Sequence, residues 1–240
     1  MALIEGRNRF RILNHTSRFS VIVPEAGIDW EKPVLWLLPA SSGLHSDWVR
    51  FTHVERWAGE LGIAVVMPEG LRSDFSDMVY GMRWWQYISD ELPGLLENSM
   101  GIPSERCCAF GAGMGGLGAL KLALRQPERF CAAGAVRVPL DQFEEGGAAD
   151  GRRLESIYGT LPLSEELLAE SDPLTMAEKL TSYDVPEFYL EQDAICTDRL
   201  ATSLRNRGAC VKWIPPCGDS WEEREMALRA FLTDQYGLMP

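Results

Sequence analysis

Residues 109–116 read Ala-Phe-Gly-Ala-Gly-Met-Gly-Gly, and this stretch decides the fold. Its frame is that of a nucleophile elbow, G-x-S-x-G, in which a serine occupies a sharp turn between a strand and a helix. Here Gly113 stands at the serine position and offers no side chain. The motif therefore predicts the strand, turn and helix of a hydrolase without its nucleophile.

The residues on either side fit such a turn. The apolar run 106–110 suits a buried strand. Residues 114–125 predict a mostly apolar helix whose Lys121 and Arg125 reach solvent. A phosphate-binding loop is the alternative, but the Gly-Lys-Ser/Thr ending and the acidic residue of a dinucleotide site are both missing. The elbow is the better interpretation.

Bulk composition narrows the function classes. At 240 residues and 46% hydrophobic content, the chain suits one α/β domain with a large core. Its net charge of -12 argues against nucleic acid and anionic membranes as partners, since both select basic surfaces. The first residues predict no signal peptide, and no apolar run reaches the length of a membrane span.

The cysteines predict free thiols rather than a disulfide framework. Two of the six, Cys107 and Cys108, are adjacent in a predicted strand and so point to opposite faces. Free thiols indicate a reducing, cytoplasmic location. The spacings Cys-x-x-Cys and His-Glu-x-x-His are absent from the sequence, so we predict no metal site and no cofactor.

Strand-like and helix-like runs alternate along the chain. The predicted strands are 19–23, 34–38, 63–67, 106–110, 130–138, 188–190 and 211–214, and the predicted helices are 47–61, 84–98, 114–125, 198–207 and 220–235. Such alternation predicts an α/β fold with a mainly parallel sheet and helices on both faces. Reactive groups in these folds lie at the carboxyl ends of the strands. The acidic segment 139–184 interrupts the rhythm and is either a solvated excursion or a lid.

Several stretches together carry a family resemblance. They are 19–25 (FSVIVPE), 65–70 (VVMPEG), 76–78 (SDM) with Gly81, Trp85 with 87–93 (YISDELP), 114–125 (MGGLGALKLALR) and 127–130 (PERF). In these motifs the chain resembles the esterase D group of α/β hydrolases, including tributyrin (acetyl) esterases and S-formylglutathione hydrolases. The resemblance implies an α/β-hydrolase fold over a single domain, 1–240, and the segment 139–184 remains open as either a solvated or a lid-like excursion within it. Many relatives pair, which leaves a homo-oligomer open.

The resemblance also assigns the catalytic positions. The serine falls on Gly113 and the catalytic acid falls on Asp193. The histidine of a Gly-His-Asp-Trp run falls on Asp219, within Gly-Asp-Ser-Trp. A carboxylate titrates far below an imidazole, so Asp219 cannot replace the general base. A structural role fits better: Asp219 or Ser220 caps the last helix, with Glu222 or Glu223 closing a capping box.

On the oxyanion side, the His-Gly of the family falls on Pro39 and Ala40. The backbone N–H of Met114, and that of Ser41, would face the position of the oxyanion. These groups would line a pocket for a small ester-like or acyl ligand.

Two alternatives remain open for the chemistry. Ser41 or Ser42 with His45 is a candidate dyad, although loops rich in serine and glycine are usually turns. Asp193 and Asp219, if they share a cavity, would repel each other and could hold a cation, while Asp193 as a plain turn residue is the simpler interpretation. We therefore expect an esterase homologue that has lost carboxylesterase activity, and the alternative is an active carboxylesterase or thioesterase with relocated groups.

Overall fold

A single mixed sheet organises the part of the chain that the structure, a computed structural model, describes: residues 1–144, 151–159, 161–181, 185–192 and 195–239. Within these ranges the strand order is β1-β2-β4-β3-β5-β6-β7-β8. β1 and β2 are antiparallel to their neighbours, whereas β3 to β8 pair in parallel. The strands are β1 (Ala2–Phe10), β2 (His15–Val23), β3 (Val34–Leu38), β4 (Val65–Pro68), β5 (Cys107–Ala112), β6 (Phe130–Val136), β7 (Glu187–Glu191) and β8 (Val211–Ile214).

Helices cover both faces of this sheet, as predicted for an α/β-hydrolase fold. They are α1 (Asp47–Phe51), α2 (Val54–Leu61), α3 (Trp84–Gln86), α4 (Leu92–Met100), α5 (Met114–Arg125), α6 (Gly151–Tyr158), α7 (Glu165–Ser171), α8 (Pro173–Glu178), α9 (Ile195–Asn206) and α10 (Trp221–Tyr236). No helix of the described ranges is long and apolar enough to cross a bilayer.

The core is divided by the sheet, and the alternation of side chains within strands explains how. In β3, Trp36 and Leu38 pack into the cluster on one face, whereas Leu35 and Leu37 pack into the cluster on the other. All five residues of β3 are buried, which is why this strand reads as a continuous apolar run. Because β3 to β8 pair in parallel, their carboxyl ends lie along one edge of the sheet.

The predicted helix 47–61 is wrong in one respect, because the structure breaks it into α1 and α2. Thr52 ends α1 in an extended conformation. Its hydroxyl donates to the carbonyl of Trp48 at 2.5 Å and accepts the N–H of Val54 at 3.3 Å. Side-chain bonds of this kind compete with the helical backbone pattern.

The predicted helix 84–98 is continuous but contains a π turn, Tyr87–Glu91, between α3 and α4. Pro93 lies in the first turn of α4 and has no N–H to donate to the carbonyl of Ser89. Arg129 supplies the missing donor, with its Nη1 2.7 Å from that carbonyl oxygen. The sequence contains the proline, but only the fold reveals the distant arginine.

Lys121 corrects another expectation, because its side chain is fully buried rather than solvent-facing. Its Nζ donates to the carbonyl of Asp74 at 3.0 Å and to Oγ of Ser76 at 2.6 Å. Burial lowers the pKa of Lys121 to about 7, although the charge of Asp74 opposes the shift. Asp74 itself is buried and forms an ion pair with Arg153 of α6 at 2.5 Å. The elbow helix is thus joined to the 139–184 excursion through buried polar groups.

Candidate functional site

Gly113 lies at the turn between β5 and α5 and has the backbone of an elbow residue. Its φ of 59° and ψ of -123° are accessible to glycine but strained for residues with a side chain. Its N–H donates to the carbonyl of Val136 at 2.9 Å, and its carbonyl accepts the N–H of Leu117 at 3.0 Å. Among the described residues, its two chain neighbours aside, a Cβ built at Gly113 would meet only the carbonyl oxygen of Arg137, at 4.0 Å. The elbow therefore has room for a side chain that the sequence does not supply.

Neighbouring glycines fix this turn by close packing. A Cβ on Gly111 would lie 2.3 Å from the carbonyl carbon of Gly115. One on Gly115 would lie 2.3 Å from the carbonyl oxygen of Leu38, at the end of β3. Both contacts are with backbone, which cannot move aside as a flexible side chain could. The strand and helix consequently approach at a distance that only glycine permits.

Asp219, which the resemblance places at the histidine position, lies at the entry to α10. Its side chain is 81% exposed and forms an ion pair with Arg137, with 3.1 Å between Nη2 and Oδ1. The predicted capping box is confirmed, with Ser220 as the cap: its Oγ accepts the N–H of Glu223 at 3.2 Å, while the Glu223 carboxylate accepts from Ser220. Asp219 therefore does not cap α10, and its carboxylate is paired with the guanidinium group of Arg137.

Arg137 and Glu191 organise the loops around this position, and sequence reasoning missed both. The N–H of Arg137 donates to Oε2 of Glu191 at 2.5 Å, and the N–H of Cys217 donates to Oε1 at 2.7 Å. Arg137 adopts a left-handed backbone, with a φ of 52°. One carboxylate at the end of β7 thereby binds the segments that follow β6 and β8. Its place at the carboxyl end of a strand was the available signal.

Comparison with known proteins assigns the chain to a family. The putative esterase family matches residues 11–192. The chain belongs to this family. S-formylglutathione hydrolase of Paracoccus denitrificans (strain Pd 1222) is 31% identical over 134 residues, which are 47% of this chain and 48% of that protein. The chain thus aligns with about half the length of that relative.

Solved structures confirm the α/β-hydrolase fold of this esterase-family protein. The fluorophosphonate-binding serine hydrolase FphF of Staphylococcus aureus superposes with a TM-score of 0.83 at 21% identity, covering 98% of each chain. S-formylglutathione hydrolase of Agrobacterium tumefaciens gives a TM-score of 0.82 at 18% identity, covering 99% of this chain and 95% of that one. At these identities the likeness concerns the fold.

The oxyanion-side loop lies against the elbow helix in the esterase-family chain. Pro39 is buried, and its carbonyl oxygen would be 2.8 Å from a Cβ on Gly115, in the first turn of α5. Met114, the first residue of that helix, is buried too. Ala40 and Ser41 are half-buried, and the carbonyl of Ala40 closes a turn by accepting the N–H of Gly43 at 2.9 Å. The structure thus brings Pro39 to the elbow that contains Gly113 and Met114.

His45 has a partner that the sequence did not indicate. Its Nδ1 lies 2.7 Å from Oγ of Ser20 in β2, and both side chains are buried. Burial lowers the pKa of His45, although the charges of Glu5 and Asp47 oppose the shift, so the environment favours the neutral ring. The proposed partner Ser42 is exposed, whereas Ser41 is half-buried. Asp193, the position of the catalytic acid, lies outside the described residues, so its proximity to Asp219 stays a prediction.

Glu69 is another acidic residue that sequence reasoning missed. It is buried and follows β4, beside the loop that contains His45. Its Oε1 lacks a hydrogen-bond partner among the described residues. Burial, together with the charge of Asp47, raises the pKa of Glu69 to about 7, while Arg18 opposes the shift. Glu69 and His45 line a cavity of about 300 Å³. The described residues contain no cluster of three or more histidine, cysteine or acidic side chains arranged for a metal ion.

Proposed function

We propose that this esterase-family protein has lost carboxylesterase activity and acts by binding a small ester-like or acyl ligand, in a regulatory role. Gly113 carries this proposal. Acyl transfer by this fold starts with a hydroxyl at the elbow and a base that removes its proton. Gly113 has the elbow backbone and no hydroxyl, so the first covalent step has no nucleophile there.

The surroundings of Asp219 support the same conclusion. An exposed carboxylate that is paired with Arg137 has neither the proton affinity nor the freedom of an imidazole base. What would remain at the elbow is the N-terminus of α5, where backbone N–H groups favour the carbonyl or carboxylate oxygen of an acyl compound. The pocket would then bind such a ligand without cleaving it.

The alternative is an active carboxylesterase or thioesterase with relocated groups, Ser41 or Ser42 with His45. The geometry weighs against it, because in the described part of the chain His45 is hydrogen-bonded to Ser20 of β2, with Nδ1 2.7 Å from Oγ, rather than to Ser41 or Ser42. Ser20 is fully buried and cannot meet a substrate in its place.

Activity-based labelling and ester turnover separate the two. We expect no covalent labelling of the protein by a fluorophosphonate and no multiple-turnover hydrolysis of p-nitrophenyl butyrate. The matched variant is His45→Ala: turnover in the natural chain that disappears in His45→Ala would establish the relocated enzyme and refute the proposal. Butyrate, tested by thermal shift, should raise the Tm of the natural chain if the acyl pocket is retained.

Restoration tests whether the elbow alone limits activity. Gly113→Ser with Asp219→His and Pro39→His should recover measurable hydrolysis of p-nitrophenyl butyrate, because the Gly113 position has space for the serine. Gly113→Ala with the same two changes is the control and should remain silent. If the serine variant folds and stays silent as well, then the pocket has been remodelled beyond these positions.

A further inference from the structure

Two cysteines meet on adjacent strands at the amino end of the sheet, away from the elbow. Cys107 of β5 lies opposite Phe130 of β6, but Cys108 lies opposite Ala132. Cys131 is thus an extra residue, without a partner across the ladder, at a β-bulge. A bulge re-aims the side chain it contains, and here the Sγ atoms of Cys108 and Cys131 are 3.4 Å apart.

The two thiols differ in their access to solvent. Cys131 is exposed, whereas Cys108 is fully buried. The hydrogen bond from Cys108 lowers the pKa of Cys131, and Arg106 adds to the effect. Burial raises the pKa of Cys108 well above its ordinary value. Cys131 is consequently the thiol that an oxidant reaches first, and Cys108 is the buried thiol next to it.

We propose that Cys131 and Cys108 form a redox-active pair that hydrogen peroxide converts to a disulfide. The Cys131 thiolate attacks a peroxide oxygen, the O–O bond breaks, and hydroxide leaves as Cys131 becomes a sulfenic acid. The Cys108 sulfur then attacks the Cys131 sulfur, and the sulfenic hydroxyl leaves as water with the Cys108 proton. Two thiols lose two electrons in total, and the peroxide is reduced to the level of water.

The sulfurs need to approach by little more than 1 Å, since a disulfide bond measures about 2.05 Å. Formation of the disulfide would change the packing of the core rather than the elbow. Cys108 packs in the same cluster as Phe231 and Tyr236 of α10, so the cross-link would alter the surroundings of the C-terminal helix. This inference is independent of whether the elbow site is catalytically silent.

Peptide mapping after mild peroxide treatment, with the remaining thiols alkylated, tests the pair in the full-length protein. The natural chain should lose two of its six thiols and yield a 108–131 cross-link. Cys107→Ala, which removes the adjacent buried thiol, should yield the same cross-link. Cys131→Ser should leave Cys108 reduced, and Cys108→Ala should accumulate a Cys131 sulfenic acid that dimedone captures.

Three results would overturn the proposal. They are retention of both thiols under peroxide that oxidises the exposed Cys210, a cross-link from Cys131 to Cys107, and conversion of Cys131 to sulfinic acid while Cys108 remains a thiol. The natural chain alone decides among these results, so the test holds even if Cys108→Ala fails to fold.

Discussion

Gly115 and Gly113 are two residues apart at the same turn, yet the structure constrains them in opposite ways. At Gly115 a Cβ would collide with the backbone of β3, at 2.3 Å from the nearest oxygen. At Gly113 the nearest atom of the described residues, chain neighbours aside, would be 4.0 Å away. The positions that shape the elbow are thus fixed by packing, while the position that would perform chemistry is not. Packing against the described residues gives no reason for a glycine at position 113.

The substitution Gly115→Ala tests this comparison most directly. We expect a loss of at least about 3 kcal/mol in the free energy of unfolding, because overpacking against rigid backbone cannot be relieved by a rotamer change. Urea unfolding of the purified variant measures it.

Gly94→Ala is the matched control, because Gly94 lies in α4 with no atom within 4 Å of a built Cβ. It should raise the free energy of unfolding by about 0.5–1 kcal/mol, as glycine is unfavourable within helices. If Gly115→Ala were as stable as Gly94→Ala, the close approach of helix and strand at the elbow would be wrong.

Gly113→Ala should be milder than Gly115→Ala. Space is available, so the cost is the positive φ alone, about 1–3 kcal/mol. Unfolding in urea beside the Gly115 variant gives the ranking directly. A Gly113→Ala protein less stable than Gly115→Ala would mean that packing, rather than backbone strain, controls the vacant position.

Lys121 is a buried titratable group on the elbow helix α5, so its contribution to stability should depend on pH. Its pKa of about 7 in the folded state lies below the ordinary value of 10.5. Between these values the unfolded chain binds more protons, so folding stability should rise with pH, by up to about 1.4 kcal/mol per pH unit. The same stability is lost as the pH falls from about 10.5 to about 7, and below 7 this component no longer changes.

Lys121→Met retains the length of the side chain and should abolish this component. The measurement is the difference in unfolding free energy between natural chain and variant at several pH values from about 7 to about 9.5. A difference that does not change with pH would show that Lys121 stays charged inside the fold.

The smallest expected changes in stability are those of substitutions at Ser220 and Asp219. Ser220→Ala removes the cap of α10 and should cost about 1 kcal/mol. Asp219→Asn removes the ion pairs of an exposed carboxylate with Arg137 and, at 3.9 Å, with Arg224, and should cost less than about 0.5 kcal/mol. Thermal unfolding of the two variants side by side tests this order, and equal losses would assign Asp219 a structural part that its exposure does not suggest.

The sequence predicted those parts of the fold that depend on local patterns. Continuous apolar runs gave β3 and β4, and Ser220 with Glu223 gave the capping box, since both signals lie within a few residues. β1 was not predicted, because an edge strand with mostly exposed and half-exposed residues has no buried run. The division at Thr52 was also missed, because a short side-chain bond to the backbone outweighs helical periodicity there.

The site was predictable only where a motif carried it. Gly113 follows from the elbow frame alone. The pairing of Arg137 with Asp219 and the bonds of Glu191 join residues from different strands, and no spacing in the sequence encodes them. His45 with Ser20, 25 residues apart in the chain, is a contact of the same kind.

Glu191 has a consequence for how such a site diverges. Its carboxylate binds the amides of residues 137 and 217 and makes no demand on their side chains. Both loops therefore keep these anchoring contacts whichever side chains residues 137 and 217 carry. Side chains beyond the ends of β6 and β8 can be exchanged while the attachment of the two loops to the sheet stays the same.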